Sequence, residues 1–217
     1  MYNHIEHNFP KLIQENLDGK RLYVTPTGER YPSVTTVLSD YNKEGILEWR
    51  KRVGDAQADK VSKQATTRGT AVHAVIEKFL NNEEINHFDL MPNVKDLFVK
   101  MKPELKKLNN IHCLEEKLFS HELKLAGTVD CIAEHDGVLS VIDFKTSKRL
   151  KKKDDIGNYF MQGAAYSTMF TEMTGIPIKQ VVILIGVDSA NFCQTLKVNP
   201  ADHIDNLKFY VEKYHRG

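Results

Sequence analysis

The stretch Gly127-Thr128-Val129-Asp130-Cys131-Ile132-Ala133-Glu134-His135-Asp136-Gly137-Val138-Leu139-Ser140-Val141-Ile142-Asp143-Phe144-Lys145-Thr146-Ser147 decides how the rest of the chain is read. Asp136-Gly137 is a dipeptide favoured in two-residue type I′ turns, and apolar residues recur on both sides of it, so a β-hairpin is expected. With that turn His135 faces Val138, and Asp130 comes to lie opposite Asp143. Directly opposed side chains have Cβ atoms about 5 Å apart, and like charges there destabilise a sheet. Along the second strand Leu139, Val141, Asp143 and Lys145 share one face, and Ile142 and Phe144 the other. Two carboxylates and one ammonium thus converge on one face. A salt bridge from Lys145 would neutralise one carboxylate and leave the second unexplained. A divalent cation between the two accounts for both. Lys145 beside such an ion is placed to orient or deprotonate a water.

Working outward, strands are expected at 111–119, 123–134 and 138–146, a helix at 155–174 stopped by Gly175-Ile176-Pro177, strands at 179–187 and 192–198, and a closing helix at 201–214. On the N-terminal side, Leu22-Tyr23-Val24 and Glu29-Arg30-Tyr31 read as a short hairpin around Pro26-Thr27-Gly28. Ser33 reads as the N-cap of a helix that turns Val34, Val37 and Leu38 to one face. Helical spacing runs from Gly45 to about Lys63, from Thr67 to Leu80, and from Pro92 to about Leu108. The expectation is one α/β domain over 1–217: a helical part at about 33–108, a central mixed sheet at about 111–198 flanked by helices, and the closing helix.

The 217 residues include 30 basic and 29 acidic side chains, a formal charge of +1. That excludes a uniformly basic coat for non-specific nucleic-acid binding, though not a local basic patch beside an acidic site. No apolar run approaches the roughly 20 residues that span a bilayer. Cys113, Cys131 and Cys193 are unclustered, against a disulfide framework, a zinc knuckle or an iron–sulfur cluster. Met1–Lys20 lacks the apolar stretch of a secretory signal, has no Arg, and carries Glu6, Glu15 and Asp18, unlike a transit peptide. The expected location is the cytoplasm. No GxxxxGK[ST] loop occurs, so any helicase or recombination partner would be a separate chain.

Gly127-Thr-Val-Asp130 followed by Ile142-Asp143-Phe-Lys145-Thr146 resembles motifs II and III of the PD-(D/E)xK nuclease superfamily, with Val129 in place of the proline of the name. Gly69-Thr-Ala-Val-His73 resembles the GxxxH helix motif of its RecB-like branch, and Gln162-Gly-Ala-Ala-Tyr166 that branch's QxxxY motif. Each pair sits at i, i+4 on one helix face. Glu116 resembles the branch's acidic position, with Glu115 as the alternative register. Tyr31-Pro-Ser-Val-Thr-Thr-Val-Leu38 and Leu47-Glu-Trp49-Arg50 add a similarity to the exonuclease family of mitochondrial genome maintenance and its bacteriophage relatives, over roughly 30–170.

This resemblance implies a restriction-endonuclease-like core and a metal-dependent exonuclease acting on single-stranded DNA. It implies Mg²⁺, with Mn²⁺ as the alternative because an imidazole joins the ligands. Asp130, Asp143, the Phe144 carbonyl and His73 would be the ligands. Lys145 would position the water, and Glu116 would hold a second metal or a ligating water. Gln162 and Tyr166 would contact the scissile strand or brace Lys145. Arg68 and Thr146 would reach phosphates. The run from Lys148 and Arg149 to Lys153 reads either as a solvated loop or as a phosphate-guiding edge, and Arg50 is equally open. Trp49 is either a stacking platform on a helical arch or a core residue. The four cysteines of iron–sulfur RecB-like nucleases are absent, so no cluster is expected. The absent transit peptide favours a bacterial or phage-infected cell. A structure-specific endonuclease of junction-resolvase type and a non-catalytic DNA-end-binding module are the alternatives.

Overall fold

The Asp136-Gly137 turn forms as read, with both residues at positive φ (52° and 79°). It joins β5 (Leu125–His135) to β6 (Val138–Ser147) in the expected register, from His135↔Val138 to Cys131↔Ile142. The computed structural model describes residues 1–17 and 19–216. The other strands of this sheet are β4 (Leu108–Ser120), β7 (Gln180–Val187) and β8 (Cys193–Val198), in the spatial order β4-β5-β6-β7-β8. Within this sheet β6 and β7 pair in parallel and the other neighbours antiparallel, and the helix α5 (Gly157–Thr174) makes the crossover between β6 and β7. β7 is an almost unbroken apolar run because helices cover both of its faces. Against one face Val141, Ile183 and Ile185 pack with Phe160, Met161, Met169 and Leu207. Against the other, Cys131, Ala133, Ile142, Phe144, Val182 and Leu184 pack with Val72, Ile76, Leu97 and Phe98. The mixed sheet flanked by helices is therefore as expected.

The helices of the second face are α3 (Asp55–Leu80) and α4 (Pro92–Leu105); α6 (Ile204–Arg216) closes the first. A smaller sheet of β1 (Ile13–Leu17), β2 (Lys20–Val24) and β3 (Arg30–Pro32) precedes them. It rests on β4 and β5 through Tyr23, Tyr31, Phe119 and Ala126. The β2–β3 pairing matches the expected hairpin, whereas β1 was not expected. Its two apolar ends, Ile13 and Leu17, are exposed, so this edge strand carries no burial period to read. Ser33 does cap α1 (Val34–Val37), accepting the Thr36 N–H, and Val34, Val37 and Leu38 are buried.

The middle of the helical part differs from the periodicity. The segment expected at 45–63 breaks at Gly54 (φ 83°) into α2 (Lys43–Val53) and the start of α3, and α3 then runs unbroken through the expected gap at 64–66. A glycine at positive φ costs little there and ends α2 sharply. At 26 residues α3 is about 39 Å long. Its first half buries only Ala58, and α2 buries nothing. Among the described residues no helix is long and apolar enough to cross a membrane.

Candidate active site

Hairpin pairing between β5 and β6 ends at Cys131↔Ile142. The next facing residues are Asp130 and Asp143, and here side chains replace the ladder. The Phe144 N–H donates to Asp130 Oδ2 at 2.9 Å. The Phe144 carbonyl lies 2.7 Å from His73 Nε2 on α3. Both main-chain groups of Phe144 are thus held by polar side chains.

Around this opening the groups fall into two sets. His73, Glu115 and Asp130 each offer an atom within 4.8 Å of the other two, with His73 Nδ1 3.8 Å from both carboxylates. Asp143 and Lys145 form a hydrogen-bonded ion pair, with Asp143 buried and Lys145 largely so. Asp143 Oδ2 is buried without a hydrogen-bond partner. Burial pushes the Asp143 carboxyl up to about 6; Asp130 adds to the rise and the Lys145 ammonium opposes it. Burial alone would lower Lys145, but the two carboxylates overcome it and hold the ammonium charged. Burial likewise works against a charge on His73, and Glu115 and Asp130 outweigh it, lifting the imidazole to about 9.

The helix α5 supplies the wall. Tyr166 is buried, and burial raises its phenol well above the ordinary value, with Asp130 and Asp143 adding to the rise and a hydrogen bond from Gln162 opposing it. Its hydroxyl stands where a Cβ on Gly127 would come within 2.7 Å, so glycine is what lets the tyrosine reach the carboxylates. Tyr159 lies over the Lys145 ammonium, 5.0 Å from ring centroid to nitrogen. Tyr159 was not anticipated, although Tyr159, Gln162 and Tyr166 recur at i, i+3 and i+7, one helix face.

The structure thus brings together Asp130, Asp143, Phe144, Lys145, His73, Gln162 and Tyr166. Of the two acidic registers left open, Glu115 joins His73 and Asp130, while Glu116 pairs at Val129 and accepts the Lys117 N–H with its carboxylate. Glu115 sits at φ 50°, a left-handed kink in β4 that periodicity does not reveal. A Cβ on Gly69 would meet only Thr146 Oγ1, at 4.0 Å, so no neighbouring strand crowds this position. Arg68 is engaged with Asp188 at 2.6 Å, where β7 ends. Arg50 is held by Asp55 (2.7 Å) and Asp59 (2.9 Å), so it clamps α2 to α3 rather than standing free for phosphate. Trp49 is half-buried, and Lys148 and Arg149 are exposed.

The donor set suits a divalent cation. It comprises carboxylates, one imidazole and a carbonyl, and it includes a buried carboxylate oxygen that nothing in the protein satisfies. Asp130, Glu115, His73 and Asp143 would hold such an ion.

Residues 93–208 match the family model of the PD-(D/E)XK nuclease superfamily, a span from α4 into α6 that holds every strand of the large sheet. Mitochondrial genome maintenance exonuclease 1 from Homo sapiens and that from Mus musculus are each 27% identical to this chain over 129 residues. The match takes in 55% of this chain and 38% of each relative, so it spans well under half of either exonuclease. With more than half of its length in the family model and carboxylates and a lysine gathered where the hairpin opens, the chain belongs to the PD-(D/E)XK nuclease superfamily.

Proposed function

We propose that this chain is an exodeoxyribonuclease of the RecB-like branch, one nuclease domain over 1–217 that degrades single-stranded DNA from free ends. The observation that carries the reading is the buried Asp143–Lys145 pair set against Asp130, Glu115 and His73. A divalent ion, Mg²⁺ or Mn²⁺, would supply Lewis-acid stabilisation of the phosphate and a lowered pKa for water. Lys145 donates toward the attacking water or the phosphate oxygen, its position set by Asp143 and by the Tyr159 ring. Tyr166 and Gln162 brace the wall against which the scissile strand lies. Thr146, half-buried near the end of β6, and the exposed Lys148 and Arg149 beyond it face the strand's phosphates.

The free-end requirement is supported by the projecting helices. α2 buries none of its residues and leaves Ile46, Leu47 and Val53 exposed, while Arg50 fixes it to α3. Such a hairpin of helices can arch over a threaded strand, with Trp49 available for stacking on a base. The similarity to exonucleases of mitochondrial genome maintenance favours the same direction. The setting we infer is the cytoplasm of a bacterium or a phage-infected host, in replication, recombination or repair, with any helicase on another chain. The test is digestion of equal masses of linear and circularised single-stranded DNA, with Mg²⁺ and with EDTA. Loss of the linear strand alone, and only with the metal, is expected. Comparable loss of the circle would identify an endonuclease, and metal-independent binding without cleavage would identify a DNA-end-binding module.

A further inference from the structure

A second concavity, of about 770 Å³, lies between the β1–β2 hairpin and the last turns of α6, floored by α1 and the turn after it. Four cations line it: Lys20, Arg21, Lys43 and Lys213, all exposed. Among the described residues that line it, one carboxylate stands against them, Asp40, shared by Lys43 at 3.4 Å and Lys213 at 3.6 Å. For a chain of net charge +1 this is a local excess of positive charge, not a reflection of composition. Two aromatic rings are interleaved with the cations. Lys20 lies 5.5 Å from the Tyr214 ring centroid and Lys213 5.9 Å from that of Tyr210.

Each wall of this groove packs, through one contact, on an element that also carries an active-site residue. On one side the Tyr210 ring packs on Tyr41, with centroids 5.7 Å apart. The Tyr41 hydroxyl occupies the space a Cβ on Gly157 would take, two residues before the Tyr159 that covers Lys145. On the other side β2 turns Tyr23 inward, its hydroxyl 3.3 Å from Thr128 Oγ1, two residues before Asp130 on β5. An acidic peptide would use the cations but has no need of two ring faces. A single-stranded nucleic acid uses both, phosphates on the cations and bases on the rings.

We propose that this groove is the track that holds the single strand beyond the catalytic site, with phosphates on Lys20, Arg21, Lys43 and Lys213 and bases on Tyr210 and Tyr214. The proposal rests on the nuclease reading above and adds a site remote from the metal ligands.

The test is equilibrium binding of fluorescein-labelled oligodeoxynucleotides in EDTA, a long one and a trinucleotide, over a range of salt concentrations. The double variant Lys20→Ala/Lys213→Ala removes two phosphate contacts, so the slope of log affinity on log salt for the long strand should flatten by about 1.4. Tyr214→Ala should weaken the long strand about tenfold, the size of one lost stack, and Tyr214→Phe should restore it. Mg²⁺-dependent cleavage of the trinucleotide should be unchanged in all three variants. Lys95→Ala/Lys106→Ala, on exposed positions elsewhere, should leave the slope as in the wild type. An unchanged slope in the first double variant, or equal competition by oligoglutamate at the same charge concentration, overturns the groove while leaving the nuclease reading intact. A wild-type protein that neither binds nor cleaves nucleic acid overturns both.

Discussion

Asp143→Asn should stabilise the metal-free protein at neutral pH and abolish its nuclease activity. The Asp143 carboxyl is 3% exposed, has one oxygen without a partner, and faces Asp130. Its folded-state value is pushed up to about 6 from 3.8, so the folded protein holds the proton more tightly than the unfolded chain does. Stability relative to the uncharged variant therefore falls as pH rises from about 4 to about 6, and the whole penalty is present above that. A rise of about two units at about 1.36 kcal/mol each sets an upper bound of roughly 3 kcal/mol. Asparagine keeps the shape and still offers an oxygen to the Lys145 ammonium. The assay is urea denaturation of both proteins in EDTA at several values between pH 4 and 8. The variant should be the more stable at pH 7.5, and the two curves should converge near pH 4. A variant less stable than wild type at neutral pH, or a gap that does not shrink on acidification, refutes the strained-carboxylate argument. Wild-type cleavage by the folded variant in Mg²⁺ refutes the site.

Lys145→Ala should lose about 10² to 10⁴ in cleavage rate, the range for a positioned proton-transfer group, and keep metal-dependent DNA affinity. Affinity that falls as far as the rate would make Lys145 a binding residue. Glu115→Gln should raise the Mg²⁺ concentration needed for half-maximal cleavage, and Glu116→Gln should leave it unchanged, because only Glu115 lies beside His73 and Asp130. The reverse ranking in a metal titration would restore Glu116. Gly127→Ala should destabilise the fold by about 1–3 kcal/mol, since the added methyl would stand 2.7 Å from the buried Tyr166 hydroxyl. Tyr166→Phe in the same chain should recover part of that loss in a urea titration, and no recovery would place the strain elsewhere.

The sheet was legible because its signals are local. Asp136-Gly137 is a turn whose chemistry sets a register, and that register puts Asp130 across from Asp143 before any tertiary contact is known. The strand expected at 179–187 forms as Gln180–Val187, and its apolar run Val181–Ile185 is buried. What the sequence left open or missed has no local signal. A left-handed residue within β4 turns Glu115 into the site and Glu116 out of it, and an irregularity between Asn109 and Cys113 already shifts the pairing. Alternation assumes an unbroken pleat and fails at that point. The role of Arg50 depends on how α2 folds back on α3 across Gly54, which a helical period cannot tell. β1 is exposed at both apolar ends, so burial leaves no trace in its sequence.

The same geometry explains why so costly an arrangement persists in this hairpin. Facing carboxylates on a paired two-stranded ribbon would repel and splay it. Here the ribbon is already parted: Asp130 takes the Phe144 N–H, and His73 lies against the Phe144 carbonyl, so the ladder stops where the charges begin. β6 does not follow β5 out of line, because its other edge stays paired with β7 from Ser140 to Ser147. The apolar side chains of Ile142 and Phe144 anchor it in the core under α3 and α4. Asp143 is therefore held largely by the neighbours of its strand, with the Lys145 ammonium bonded to one oxygen and offsetting part of its charge, and the other oxygen left over. A cation bound between β4, β5 and β6 would relieve that remainder, and the fold bears the cost while the site is metal-free. Removing the charge should relax the protein, and the cation should do the same for the wild type, so stabilisation by Mg²⁺ should be large for wild type and small for Asp143→Asn.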